Sequence, residues 1–290
     1  MNFKKNMDQN KFKIISNEDI KKIFNRKIIQ TNNFNSYSEL FVYGNEVYKI
    51  YMSKPELSQQ NLNMLNLLFK FKNELSPIKE IVLPNNILKY NDYLVGFTMP
   101  YIEGTLLMDF LQNANIETAK NIFMKILYII NQVKQLNFSF SFNDLHEKNI
   151  IIDNNEELHL IDCDGFVINN NSFKENDTII YGKYLNNNVT TKSINSIDYI
   201  CLLCMIMNYL LGNIKDYSIN PISFFENINT HNYVIKNIIE RTKKDNFILT
   251  TYDIENLFRL DFTKLESKPS VLKRIRTKID IYKFKKLVIH

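Results

Sequence analysis

Two short apolar runs, Ile150-Ile151-Ile152 and Leu158-His159-Leu160-Ile161, are separated by Asp153-Asn154-Asn155-Glu156, a composition suited to a turn. A β-hairpin is the simplest structure such a segment can form. Its flanks are polar in an unusual way: Asp144 and Asn149 precede the first strand, and Asp162 directly follows the second. Hairpin strands run back past each other, so the side chains at the two ends can be gathered together. Two carboxylates and an amide are oxygen donors of the kind that suit a hard divalent cation. Magnesium favours one or two carboxylates completed by an amide oxygen, water and substrate phosphates. On this reading Asn149 and Asp162 help to hold the ion, and Asp144 is left over as a base. Asp164, in the following Asp164-Gly165 turn, is either a second acidic ligand or a turn residue only.

The rest of the chain divides by pattern. Composition is ordinary for a globular protein, with 45% hydrophobic and 23% charged residues among 290, enough for one large domain or two lobes. From Ile28 to Met99 strand-type runs dominate. They are Glu39 to Tyr43, Glu46 to Tyr51 after the Gly44-Asn45 turn, and Leu94 to Met99, interrupted by a helical pattern from Glu56 to Lys72. After Gly104 helical patterns take over: Thr105 to Gln112, Ile116 to Leu136, Tyr199 to Leu211, Tyr233 to Thr242 and Tyr252 to Phe258. The expected organisation is an extension at 1–27, a sheet-rich lobe at 28–102 and a helix-rich lobe at 103–290. The extension carries eight Lys or Arg and reads as solvated, with a short helix near Asn17 to Phe24.

Several classes of function are disfavoured. A net charge of +5 is too small to imply a nucleic-acid partner, and no apolar run approaches the length of a membrane span, so a cytoplasmic protein is expected. Cys201 and Cys204 form a C-x-x-C within an apolar helical run with no second ligand pair beside it; with Cys163 they read as reduced, packed thiols.

The hairpin and its flanks resemble the protein-kinase-like superfamily, in the form of an atypical, bacterial-type Ser/Thr kinase, over roughly Gln30 to Leu260. Asp144 and Asn149 match the catalytic loop H-R-D-x-x-x-x-N, and Asp162, 13 positions after Asn149, matches the first residue of D-F-G. Val47-Tyr48-Lys49 resembles the strand with the phosphate-binding lysine, and Met99 to Gly104 the segment that contacts adenine. Asp198 sits where the family keeps the aspartate that opens its central helix. The resemblance implies an α+β, bilobal fold with an antiparallel sheet plus one helix in the first lobe and a mainly helical second lobe. It also implies ATP and magnesium as cofactors. The nucleotide contacts expected from it are Lys49, Glu56 as its ion-pair partner, Ser36, Ser38, Met99, Tyr101 and Ile102. The catalytic set is Asp144, Lys49, Asn149 and His146, with Asn149 and Asp162 as metal ligands.

The departures shape the expected function. The nucleotide loop near Asn33 to Ser38 has no glycine, and Phe142 and Asn143 replace the His and Arg ahead of the catalytic aspartate. Without that Arg, a phosphorylated activation loop has no obvious receiver, so activity is expected not to depend on one. The interval of 45 positions from Met99 to Asp144 leaves no room for a large insertion and favours a protein substrate. His146 pulls the other way, since Asp144-Leu145-His146 resembles the loop of aminoglycoside and choline kinases. Transfer to a small molecule is one alternative, and a weakly catalytic pseudokinase that acts by binding is another. The basic segment Lys264 to His290 reads first as a solvated helix on the second lobe and second as a docking surface for an acidic partner.

Overall fold

The computed structural model describes residues 12–25, 38–51, 58–91, 93–172, 194–212, 222 and 233–260. The chain divides into two compact units, Met1–Gly104 with Ile151–Phe173, and Thr105–Ile150 with Lys174–His290. The segment Ile151–Phe173, which the sequence pattern keeps with the helical half, therefore packs in the sheet-rich unit.

The first unit is built on β1 (Phe12–Ile14), β2 (Ser38–Tyr43), β3 (Glu46–Tyr51), β4 (Asn86–Tyr90) and β5 (Tyr93–Pro100), in the order β1-β4-β5-β3-β2. Gly44 at φ +63° turns the β2–β3 hairpin, whose register runs from Ser38 opposite Tyr51 to Tyr43 opposite Glu46. β5 pairs antiparallel with both β3 and β4, and β1 joins β4 in parallel. Alternation along β3 sends Tyr48 and Ile50 to one face and Val47 and Lys49 to the other. The Tyr48 face forms a core with Phe41 and Leu88, covered by Ile15 and by Ile23 of α1 (Asn17–Phe24). α1 starts at Ser16, whose hydroxyl accepts from the Asp19 amide while the Asp19 carboxylate accepts from the Ser16 amide. The expectation of a solvated extension is thus corrected for residues 12–25. Ile15 and Ile23 each find an apolar surface to cover, and the short polar-flanked run Phe12–Ile14 finds the unpaired edge of β4.

Lys13 and Glu46 tie this segment to the sheet. Lys13 Nζ donates to Glu46 Oε2 at 3.1 Å and to the Tyr48 hydroxyl, and Glu46 Oε1 accepts from Asn85 Nδ2 and Thr98 Oγ1, each at 3.1 Å. Burial pushes the Glu46 carboxyl up, but the hydrogen bonds from Asn85 and Lys13 and the Lys13 charge outweigh it, so it lies below its ordinary value. A carboxyl lowered in this way stabilises the fold above its unfolded pKa and loses that contribution as pH falls through the folded pKa. Glu46→Gln is expected to cost about 1–2 kcal/mol at neutral pH. Urea unfolding of variant and wild type should converge as pH drops below the ordinary carboxylate range; a difference constant with pH would contradict this.

The unit is completed by α2 (Ser58–Lys70), which packs against β5 and buries Met64, Leu65 and Leu68, and by α3 (Lys72–Leu75). The predicted hairpin forms as β8 (Ile150–Asp153) and β9 (Leu158–Leu160). Leu160 holds it to this unit, giving its amide to Glu80 O at 2.7 Å and accepting the Val82 amide at 2.9 Å. A second hairpin follows, β10 (Val167–Ile168) and β11 (Asn171–Ser172). Its two turn residues, Asn169 and Asn170, have φ +49° and +64°, which asparagine tolerates better than most residues.

Where a helix from Thr105 was expected, Gly104–Leu106 is instead the strand β6, and helix α4 spans only Leu107–Phe110. Thr105 carries a β-branched side chain, and only from Leu107 do apolar residues become fully buried. The second unit is otherwise helical, with α5 (Ile116–Val133), α6 (Ile194–Leu211), α7 (Tyr233–Thr242), α8 (Thr251–Phe258) and the short strand β7 (Phe140–Ser141). α5 buries Ala119, Phe123, Ile126, Leu127, Ile129, Ile130 and Val133. α6 is buried on every side from Ser196 to Tyr209, as an apolar helix at the centre of a domain should be. Phe123, Tyr209 and Phe258 meet with ring centroids 5.9–6.0 Å apart, joining α5, α6 and α8. Arg241 closes α7 onto α8 through a two-bond pair with Asp253 at 2.8 and 3.1 Å. Cys201 and Cys204 are buried free thiols in α6, and burial pushes both well above their ordinary range, consistent with packing and not with redox chemistry. Among the described residues no helix is long and apolar enough to cross a membrane.

Candidate active site

In the first unit the site begins with Lys49. The register places it in the middle of β3, between Leu40 on β2 and Phe97 on β5, so its backbone is paired on both sides. Its side chain is buried, with the ammonium 5.9 Å from the Phe97 ring centroid. A lysine in such a place needs an anion. That anion is Asp162, which forms an ion pair with Lys49 although the two lie 113 positions apart in sequence. Asp162 follows β9 after one intervening residue, in the left-handed conformation, φ +69°, and the turn Cys163–Gly165 closes onto its carbonyl through the Gly165 amide at 3.0 Å. The glutamate proposed as partner of Lys49, Glu56, and the loop residue Ser36 lie outside the described residues. Ser38 opens β2 opposite Tyr51, nearly buried. Met99 is buried on β5, Ile102 is half-buried, and Tyr101 gives its amide to Asn45 O at 2.9 Å.

The second unit holds the other predicted residues in one loop. Asp144 is buried at 7% exposure, and its amide donates to Phe142 O at 2.6 Å across Asn143, whose φ is +59°. Asn149 Nδ2 donates to Asp144 O at 3.0 Å, which fixes the amide and identifies Oδ1 as its acceptor oxygen. His146 Nδ1 accepts the Lys148 amide at 3.2 Å, so the ring is the Nε2–H tautomer if neutral, and Nε2 stands 3.7 Å from Asp144 Oδ1. That separation is too long for a direct hydrogen bond. Asp198, fully buried in the first turns of α6, accepts from the Asn143 amide at 3.1 Å and from Ser141 Oγ at 2.9 Å. The loop ahead of Asp144 is therefore held by a helix more than fifty positions downstream.

Each unit thus assembles its own subset: Lys49 with Asp162, and Asp144 with His146, Asn149 and Asp198. A carboxylate and an amide oxygen, as Asp162 and Asn149 offer in their respective units, are donor types that suit magnesium. Among the described residues no cluster of three or more His, Cys, Asp or Glu exists that would make an all-protein metal cage. Magnesium, which characteristically keeps water and phosphate ligands, does not require one. Sequence reasoning missed Lys134, which contacts Asp198, and Gly96, which lies against the backbone of Lys49. A lone glycine inside a strand run is the signal that could have found Gly96.

A similar structure is the kinase PK-1 of Cydia pomonella granulovirus. The two share 16% sequence identity at a TM-score of 0.51, covering 82% of this chain and 96% of that one. The fold is that of a protein kinase. At this identity the likeness concerns architecture, and the roles of individual residues rest on the geometry described above. No family model matches the sequence, and no curated protein matches it.

Proposed function

We propose that the protein is a kinase that transfers the γ-phosphoryl group of ATP, with magnesium, to Ser or Thr hydroxyls of a protein substrate. The observation that carries this reading is the partly buried ion pair between Lys49 and Asp162, since it brings a lysine in the middle of a strand against a carboxylate 113 positions away in sequence. A buried ion pair is an expensive way to stabilise a fold, and a strongly polar pair of this kind is often a functional site.

In the reaction, a bond forms between the acceptor oxygen and the γ-phosphorus as the bond to the bridging oxygen of ADP breaks. Asp144 accepts the hydroxyl proton and orients the acceptor. Lys49 binds phosphate oxygens, and Asn149 and Asp162 hold the metal ion. When bound, magnesium neutralises charge on the transferring phosphates. His146 lies beside the base, its Nε2 3.7 Å from Asp144 Oδ1. Asp198 anchors the Asp144 loop from inside the unit, which supports activity independent of activation-loop phosphorylation, in the manner of an atypical bacterial-type kinase. We place the protein in the cytoplasm, with an acidic partner at the basic segment Lys264 to His290 as a further proposal; that segment lies outside the described residues.

Incubation with γ-labelled ATP, magnesium and a general acceptor protein tests the reading. Label on protein, lost in Asp144→Ala and Asp162→Ala, is the expected result. Label on an aminoglycoside or choline but not on protein would move the assignment to the small-molecule branch suggested by His146. ATP binding without transfer to any acceptor would make the chain a pseudokinase.

A further inference from the structure

The Asp198 carboxylate is 0% exposed, so its charge needs an internal cation. Lys134, at the C-terminal end of α5, provides it: Nζ lies 2.8 Å from Asp198 Oδ2, and the same ammonium donates to Phe140 O at 2.9 Å. The Lys134 side chain is only 13% exposed, so little water screens the pair. The other carboxylate oxygen, Oδ1, accepts from Ser141 Oγ and from the Asn143 amide. Ser141 Oγ in turn accepts the Asn143 amide at 3.0 Å. The whole group therefore converges on one backbone N–H.

That N–H belongs to the residue just before Asp144, and it is a strained one. Asn143 is left-handed, and its side-chain Nδ2 is buried without a hydrogen-bond partner, so its side chain does not secure this conformation. Aromatic packing supports the flanks, with Phe140 and Phe142 edge-to-face at 5.2 Å. It supplies no direction for the amide. Charge-assisted hydrogen bonds to Asp198 do. A buried carboxylate that loses its cation is left uncompensated and relaxes out of place, which weakens its hold on a donor.

We propose that Lys134 is a positioning residue for phosphoryl transfer, pairing with the Asp198 carboxylate and holding it in place so that Asp198 fixes Asn143 and, through it, Asp144. This rests on the reading of Asp144 as the base. The cation is part of the same unit as the loop and is present in every copy of the chain, so the loop is ordered without a phosphate group added elsewhere.

The test uses the full chain and two readouts, one of them independent of activity. Lys134→Met is expected to speed hydrogen exchange at the Asn143 amide by about tenfold or more. It is expected to lower kcat about 10- to 100-fold while KM for ATP stays within about twofold, because a small displacement of the base affects the chemical step and not nucleotide binding. Lys134→Arg, which keeps the charge, should recover most of both losses. Unchanged Asn143 exchange in Lys134→Met overturns the proposal, as does a kcat equal to that of the wild type. If the wild type transfers no phosphate, faster Asn143 exchange still supports the hold on the loop, and it is the assignment of Asp144 that fails. Should Lys134→Met not fold, Lys134→Met/Asp198→Asn removes both charges and restores a foldable core. The proposal then expects kcat to remain lowered by about tenfold or more, and wild-type kcat in that variant overturns it.

Discussion

Gly96→Ala is expected to cost about 3 kcal/mol or more and to displace Lys49. A Cβ at Gly96 would stand 1.9 Å from Lys49 O, 2.9 Å from Lys49 C and 3.1 Å from Ile50 Cα. All three are backbone atoms in the middle of a five-stranded sheet, so no flexible side chain can swing aside. Gly96 sits opposite Ile50 on β3 and Leu88 on β4, next to the register shift between Leu88 and Lys89. Relief therefore requires β3 and β5 to separate at the position that carries Lys49. Urea unfolding should show the stability loss, and titration with ATP should show weaker binding in the fraction that remains folded. Gly44→Ala is the informative contrast. Its site has φ +63° but nothing within 4 Å of a new Cβ, so only the left-handed backbone is penalised, at about 1 kcal/mol, with ATP binding intact. Equal and small losses from the two substitutions would refute the close-approach account of Gly96.

The contrast also shows what sequence reading reaches. Gly44 was legible because Gly-Asn between two alternating runs is a turn signal in itself. Lys49, Asp144, Asn149, Asp162 and Asp198 were legible through order and spacing, which survive when most other residues have changed. Gly96 was not, because the clash that excludes alanine comes from a strand nearly fifty residues earlier in the chain. Lys134 was hidden for a similar reason. At the end of an apolar helix a lysine usually faces solvent, and only the buried carboxylate of α6 shows that this one turns inward. The N-terminal error has another cause: Phe12–Ile14 is too short and too basic in its surroundings to announce a strand, and it becomes one because β4 offers an unpaired edge. The early strand at Gly104–Leu106 likewise depends on a long-range approach. A Cβ on Gly104 would lie 2.3 Å from Ile152 O, a proximity that no local pattern encodes.

Asp144→Asn and Asp162→Asn should fail in different ways, although both replace a carboxylate by an amide of the same shape. As the proposed base, Asp144 takes the acceptor's proton, so its variant is expected to bind ATP normally, unfold at nearly the wild-type midpoint and transfer phosphate about 10²–10⁴-fold more slowly. Asp162 is also the anion beside Lys49, whose side chain is 9% exposed. Removing the Asp162 charge takes an anion from beside the nearly buried Lys49 ammonium, a loss of up to about 3–5 kcal/mol. Asp162→Asn is thus expected to lose stability and magnesium-dependent ATP affinity together with activity. Lys49→Met added to Asp162→Asn should recover part of the stability, because the double variant has no unpaired charge, but none of the activity. Thermal unfolding of the single and double variants, read beside ATP binding, separates these outcomes. If the double variant is no more stable than Asp162→Asn, the ion pair is not what couples Asp162 to the fold. If Asp144→Asn keeps its transfer rate, Asp144 is not the base, and the buried loop that Asp198 holds serves another end.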